Sequence, residues 1–194
     1  AIIGNYTEER GVGVLYGEGA NHNVYFVAKG TSVNGFWRAS TTSIALDTWY
    51  LVVVKFDADN PTTPPIIKVN DVLQTLVGTD LVGTLKDETG ASFSIGNINI
   101  PAVPYGYPYP GKIYDPRVYN RIITDAEITT LYNGGTPDVS LVTDGLVFQG
   151  LNVKTSDRAS YIDATLTSGL NLRDNIFGAI GTPHGAPIGR SNPD

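Results

Sequence analysis

The chain has no cysteine, which excludes a disulfide framework and any thiolate metal site. It has no methionine either, not even at position 1. The sequence is therefore expected to be a processed product or an excised piece rather than a primary translation product. Charged residues make up only 16%, below the usual value of about a quarter. Gly, Thr, Asn, Pro and Tyr fill the difference, as they do in all-β proteins with many turns. The net charge is -6, the pI is near 4.8, and Lys and Arg form no cluster that could release counterions from a phosphate backbone, so nucleic acid is not an expected partner. No apolar run approaches the length of a membrane span and no basic-apolar-small leader opens the chain, so no membrane insertion is expected.

Groups suited to catalysis are equally scarce. The two histidines, His22 and His184, stand far apart among small residues, and neither has a second group at a spacing that signals acid-base or metal chemistry. No Gly-x-Ser-x-Gly elbow is present. Glu8 and Glu9 are adjacent and point apart if extended, and Asp87-Glu88 reads as a turn. No residue is assigned a catalytic role, and the protein is not expected to be an enzyme. Asn5-Tyr6-Thr7 is a lone glycosylation sequon, a pattern short enough to arise by chance.

What is present points to strands. With 194 residues and 41% hydrophobic content, the chain can build a sizeable core in one domain. Residues 11–17 (GVGVLYG) and 23–29 (NVYFVAK) read as a hairpin around GEGANH. Residues 35–39 and 43–46 are weaker strands. WYLVVVKF, residues 49–56, runs β-branched and aromatic residues to both sides. That pattern predicts a central strand covered on both faces, opened by a structural Trp49. In IIKVNDVLQTL, Asn70-Asp71 reads as a two-residue turn between apolar runs. ASFSIGNI should turn Phe93 and Ile95 inward, and DGLVFQG, residues 144–150, reads as a last strand. Beyond it, few apolar periodicities remain. Residues 1–150 are read as the domain and residues 151–194 as an irregular, extended C-terminal arm or interaction tail.

The stretch GKIYDPRVYNRIITDAEITTLYNGG, residues 111–135, carries most information. Thr124 and Glu127 have the spacing of a capping box, Ile123 and Ile128 that of a hydrophobic staple. Asp125 and Glu127 suit the positive end of the helix dipole, and Gly134 can supply a left-handed stop. Pro116 interrupts the strand before the helix, at an edge or a bulge where no ladder donor is needed.

This strand and helix resemble the closing signature of laminin-G-like, concanavalin A-like jelly-roll domains. Gly111, Ile113, Asp115, Arg117, Tyr119, Asn120, Arg121, Thr124, Asp125, Glu127, Ile128, Leu131 and Tyr132 fall into its pattern, and Pro116 departs from it. The resemblance implies an antiparallel β-sandwich with one short helix, in keeping with the all-β reading. Such domains open with a strand and an aromatic segment that are not found here. Either that front was cleaved away or lies elsewhere, or Leu146-Val147-Phe148 supplies the strand from the C-terminal side. An unfilled strand position would invite another chain, so assembly into a homo- or hetero-oligomer is expected.

Similar domains occur in secreted and cell-surface proteins and in bacteriophage virions. The resemblance thus implies a non-catalytic adhesive or structural module at an extracellular or virion surface, with a glycan-binding, lectin-like module as the alternative. Hydrolytic relatives carry Glu-x-Asp-x-x-Glu or Glu-x-Asp-x-Glu on one strand, and no such run is present. The Pro-interleaved Tyr105, Tyr107 and Tyr109 offer rigidly held ring faces for a sugar or a protein, and Trp37 is a second binding candidate. Asp57, Asp59 and Asn60 form an oxygen-rich cluster that is a weak calcium candidate, weighed against a solvated turn.

Overall fold

The computed structural model describes residues 2–5, 10–17, 22–41, 44–88, 93–97, 109, 111–136 and 142–150, and the backbone of 176–183. Among these residues, two six-stranded sheets pack face to face. The first has the order β8-β4-β3-β2-β1-β9, built from Leu76–Thr79, Gly35–Ala39, Asn23–Ala28, Val12–Gly17, Ile3–Gly4 and Ser94–Ile95. The second has the order β11-β10-β12-β5-β6-β7, from Leu146–Gln149, Gly111–Tyr119, Ile176–Pro183, Tyr50–Lys55, Ile66–Val69 and Val72–Leu73. Every pairing is antiparallel.

β5 behaves as its composition predicts. Val52 and Val54 enter the core between the sheets, where Phe26, Trp37 and Phe56 stack with centroids 4.9 to 6.2 Å apart. Leu51 and Val53 face the other way and pack with Ile123, Ile128 and Leu131. The helix α1 (Asp125–Tyr132) therefore roofs the second sheet. Trp49, expected to be structural, lies just outside β5 and is 48% exposed. Once the chain leaves the ladder, the residue has no opposing layer to cover it.

Local signals translate directly into geometry. β6 and β7 are joined by Asn70 and Asp71, both at positive φ (50° and 62°), the requirement of a mirror-type turn. Asn70 Oδ1 also accepts the Leu51 amide at 2.9 Å, which locks the turn to the central strand. Thr124 accepts the Glu127 amide, and the Glu127 carboxylate accepts the Thr124 amide at 2.7 Å, completing the capping box. Ile123 and Ile128 are buried together as the staple requires. The left-handed stop falls at Asn133 (φ 41°), one residue before the expected Gly134, and its N–H reaches the Thr129 carbonyl. Asn tolerates this conformation, and Gly134 follows at φ 61°. The expected strand over 43–46 is absent where it is described: Ile44 to Leu46 are irregular, and Tyr50 Oη accepts the Ala45 amide at 3.1 Å.

A fork from Arg121 ties the cap to the rest of the domain. Its guanidinium donates through both terminal nitrogens to Glu127 and through Nε to Asp144, 2.8 Å away, in the turn before β11. The Arg121 hydrogen bonds first, and then the Thr124 amide, hold the Glu127 carboxyl down at about 2 against an ordinary 4.5. The folded state binds this proton more weakly than the unfolded chain. The stabilisation is therefore complete above about pH 5 and is lost as pH falls through 4.5 towards 2. Unscreened, the shift corresponds to about 3 kcal/mol, and partial exposure reduces it to about 1–2 kcal/mol. Thermal melts at pH 7 and pH 3 check this, because Glu127→Gln should remove that part of the acid loss.

The largest departure from expectation concerns residues 151–194. Ile176–Pro183 is a strand, not part of an irregular arm. It lies inside the second sheet, pairing Ile176–Pro183 with Tyr119–Gly111 on one side and Ile176–Gly181 with Lys55–Tyr50 on the other. β11 flanks β10 at the sheet edge. The second sheet is thus filled from the C-terminal side, by β12 as well as by the Leu146-Val147-Phe148 segment. Its partners lie far away in sequence, so no local pattern announces β12.

Candidate functional site

β10 holds a buried ionic network. Its ladder slips between Tyr114 and Arg117, at the bulge expected from Pro116, with Asp115 at φ 49°. The extra residue reverses the alternation. Ile113 faces the core between the sheets before the bulge, Val118 does so after it, and Tyr119 packs on the helix side. Arg117 and Asp115 are 4% and 7% exposed and pair through Nη2 and Nε at 2.7 and 2.9 Å. Gln149 of β11 donates to Asp115 Oδ1 at 2.7 Å, and Tyr119 Oη donates to the Val142 carbonyl at 3.0 Å. All of these partners are internal, so the network fastens the segment after the helix to β10 and presents no group to a ligand.

The expected binding residues separate. Trp37 is 2% exposed and belongs to the core; its indole N–H donates to Asp80 at 2.9 Å. The side-chain alternation of β4 places Phe36 outward and Trp37 inward, opposite to the candidate role. Trp37→Phe removes the donor while keeping an aromatic ring, and is expected to cost about 1–2 kcal/mol in a denaturant melt. Tyr105 and Tyr107 lie outside the described residues, as do His184 and the Tyr6 and Thr7 of the sequon. Asn5 of that sequon is 2% exposed, accepting from the Val12 amide and donating to Glu88.

Tyr109 is 7% exposed and joins an aromatic cluster at an apolar cleft between the sheets. Ile2, Val24, Ile44 and Val52 line the cleft together with Tyr16, Tyr50 and Tyr109. Tyr16 meets Tyr109 edge-on at 5.5 Å and stacks on His22 at 5.9 Å. Tyr16 Oη and His22 Nδ1 lie 2.6 Å apart in a hydrogen bond. Burial first, and Tyr16 second, push the Tyr109 hydroxyl well above the ordinary tyrosine range. The cleft therefore keeps a neutral phenol at neutral pH and has no carboxylate in its lining. Its free space is too small to admit a ring, so these aromatic side chains pack as part of the core.

The oxygen-rich cluster is a turn. Asp57 Oδ1 accepts the amides of Asp59 and Asn60 at 3.0 and 3.3 Å, the local bonding that places Asp at such bends. Among the described residues, no group of three or more His, Asp or Glu is arranged to hold a metal ion.

The sandwich, its helix-roofed second sheet and the β10 signature all lie within or beside one matched stretch: residues 1–129 match the family model Laminin_G_3, described as the concanavalin A-like lectin/glucanases superfamily. The chain belongs to that superfamily. No curated protein and no solved structure matches it significantly. Membership in the concanavalin A-like superfamily implies the jelly-roll form of the sandwich. Its description spans lectins and glucanases alike, so the role of this member has to be argued from its own surfaces. β11 and β12 fall beyond the matched residues of this concanavalin A-like domain.

Sequence reasoning missed two exposed aromatic sites. Trp49 and Tyr114 meet edge-on at 6.3 Å on the helix-bearing side, with 48% and 37% exposure. On the outer face of the first sheet, Tyr25 and Phe36 are in contact at 5.1 Å. Strict alternation about the buried Phe26 and Trp37 is the signal that finds the second pair.

Proposed function

We propose that this domain is a non-catalytic structural or adhesive surface module that works as a subunit of a larger assembly, such as the surface or decoration layer of a virion. The reading rests on the placement of β12. An interior strand of the second sheet comes from beyond the family-matched stretch, through residues 151–175, which lie outside the described residues. A neighbouring copy can donate such a strand with the same ladder, as in strand complementation and domain swapping. The non-catalytic part is supported by the carboxylates, since Asp115, Glu127 and Asp125 are each paired with a cation rather than with one another.

The absence of cysteine makes the test clean. Ile176 lies opposite Lys55, so Lys55→Cys and Ile176→Cys chains, mixed and incubated under mild oxidation, should form a disulfide heterodimer if strands are exchanged. Sedimentation should show mass above that of one chain. A strictly monomeric chain, with cross-linking only within a Lys55→Cys/Ile176→Cys double variant, contradicts the assembly reading.

A second reading, a lectin-like glycan-binding module, is favoured by Phe36, 41% exposed beside the half-buried Tyr25 on a sheet face. A glycan array tests it, and a blank array counts against it.

A further inference from the structure

One lateral side of the sandwich presents an uncharged, apolar edge. β7 and β8 are edge strands of their sheets, and the chain passes from one to the other through Gln74 and Thr75 alone, so both edges lie on the same side. Residues 72–79, VLQTLVGT, carry neither a charge nor a proline, the devices that usually blunt a sheet edge. Val72, Leu73 and Val77 are 55%, 61% and 50% exposed. The backbone of β8 is open as well. The Ser40 amide donates to the Thr75 carbonyl at 2.9 Å, and the same register places Ala39 opposite Leu76 and Arg38 opposite Val77. Hydrogen-bonded and non-hydrogen-bonded pairs alternate along an antiparallel ladder. Val77 therefore turns its N–H and C=O to β4, while Leu76 and Gly78 turn theirs outward. At the opposite edge of this sheet, both residues of β9 are buried.

We propose that β8 pairs antiparallel with β8 of a second copy of this chain, joining two first sheets into one continuous sheet across a two-fold axis at Val77. The proposal rests on the assembly reading above and names its interface and partner. A two-fold axis normal to the sheet sets an edge strand antiparallel to its own copy, with the same side chains on the same faces. Leu76 then meets the partner's Gly78 in a hydrogen-bonded pair, and Gly78 meets the partner's Leu76, so the outward backbone groups of both residues are satisfied. Val77 stands opposite the partner's Val77 at the axis, in the non-hydrogen-bonded pair where side chains approach most closely. The uncharged edge lets two chains of net charge -6 meet without like charges facing across the seam. Because β9 is buried, β8 has no second edge of this sheet to add to, and pairing closes at two subunits.

The test uses the full chain purified alone, so that a second copy is the only partner present. Sedimentation should give the mass of two chains. Val77→Cys, which introduces the sole cysteine, should form a covalent dimer under mild oxidation, since facing Cα atoms in such a pair lie about 4.5 Å apart, within disulfide range. Thr79→Cys, two residues along on the same face, should cross-link only when mixed with Thr75→Cys, its partner in this register. Val77→Glu sets two carboxylates against each other at the axis and should weaken dimerisation by about tenfold or more. Within each chain the new Glu faces Arg38 across the ladder, so the variant should fold, with an unchanged circular dichroism spectrum. Val77→Thr keeps the β-branched shape and should keep the dimer. A strictly monomeric chain overturns this interface and the assembly reading together. A dimer that Val77→Cys does not cross-link, or that Val77→Glu leaves undiminished, overturns the β8 interface and leaves the assembly reading standing. Thr79→Cys cross-linking alone as readily as Val77→Cys overturns the two-fold axis at Val77.

Discussion

A chain ending at Gly150 is expected to lose its cooperative unfolding transition at neutral pH. The deletion removes β12 and leaves β10 and β5 without the strand that joins them. Their inner residues, Ile113 and Val118 on one side and Val52 and Val54 on the other, then belong to separate ladders. An interior strand is coupled to both neighbours through backbone hydrogen bonds that water cannot replace without opening the core. Domain stabilities are only about 5–15 kcal/mol, so losing such a strand is expected to exhaust the margin. The same deletion exposes two unpaired edges, and any folded remainder should associate through them. Circular dichroism melts and sedimentation of the truncated chain check both effects, and adding a peptide covering residues 174–184 should restore the transition.

Asp115→Ala is expected to lower stability by about 3–5 kcal/mol, the usual cost of leaving one partner of a buried ion pair uncompensated. The Arg117 guanidinium, 4% exposed, keeps its charge and loses both short contacts to Asp115. Gln149 loses its acceptor at the same time. Part of the loss is conformational, because Asp115 sits at φ 49° and alanine tolerates that region less well than Asp or Asn. Asp115→Asn keeps the backbone preference and one acceptor, so it should cost clearly less than Asp115→Ala. Joining it to Arg117→Met, which removes the stranded charge, should recover further stability, since apolar replacements of buried pairs are often nearly neutral. Urea melts of the three variants separate charge from conformation. If all three lose the same amount, the ion pair is not what the bulge depends on.

Much of this architecture was legible because its causes are local. Thr124 and Glu127 specify a cap whatever else the chain does, Asn70-Asp71 specify a turn, and Pro116 forces a break in the β10 ladder. The apolar run of β5 required cover on both sides, and the core and α1 provide it. Parity was harder to read. Phe36 and Trp37 are adjacent, and pattern alone does not say which of two neighbours turns inward. The core took the larger ring and left Phe36 outside. The same ambiguity hid which residues of β10 turn inward, because a bulge between Tyr114 and Arg117 reverses the alternation midway along the strand.

β12 was the least legible element. Its residues, IFGAIGTP, are short and rich in small side chains, and its assignment depends on β10 and β5 holding a vacant position between them. That makes β12 both the main correction to the sequence reading and the basis of the assembly proposal.

The most direct test is amide hydrogen exchange on the intact chain, followed by mass spectrometry of peptides covering residues 50–55, 111–119 and 176–183. An interior β12 predicts that amides of residues 176–182 exchange as slowly as those of β5 and β10 and open with them in one cooperative step. Exchange over 176–182 at the rate of an unstructured peptide, with β5 still protected, would contradict the account.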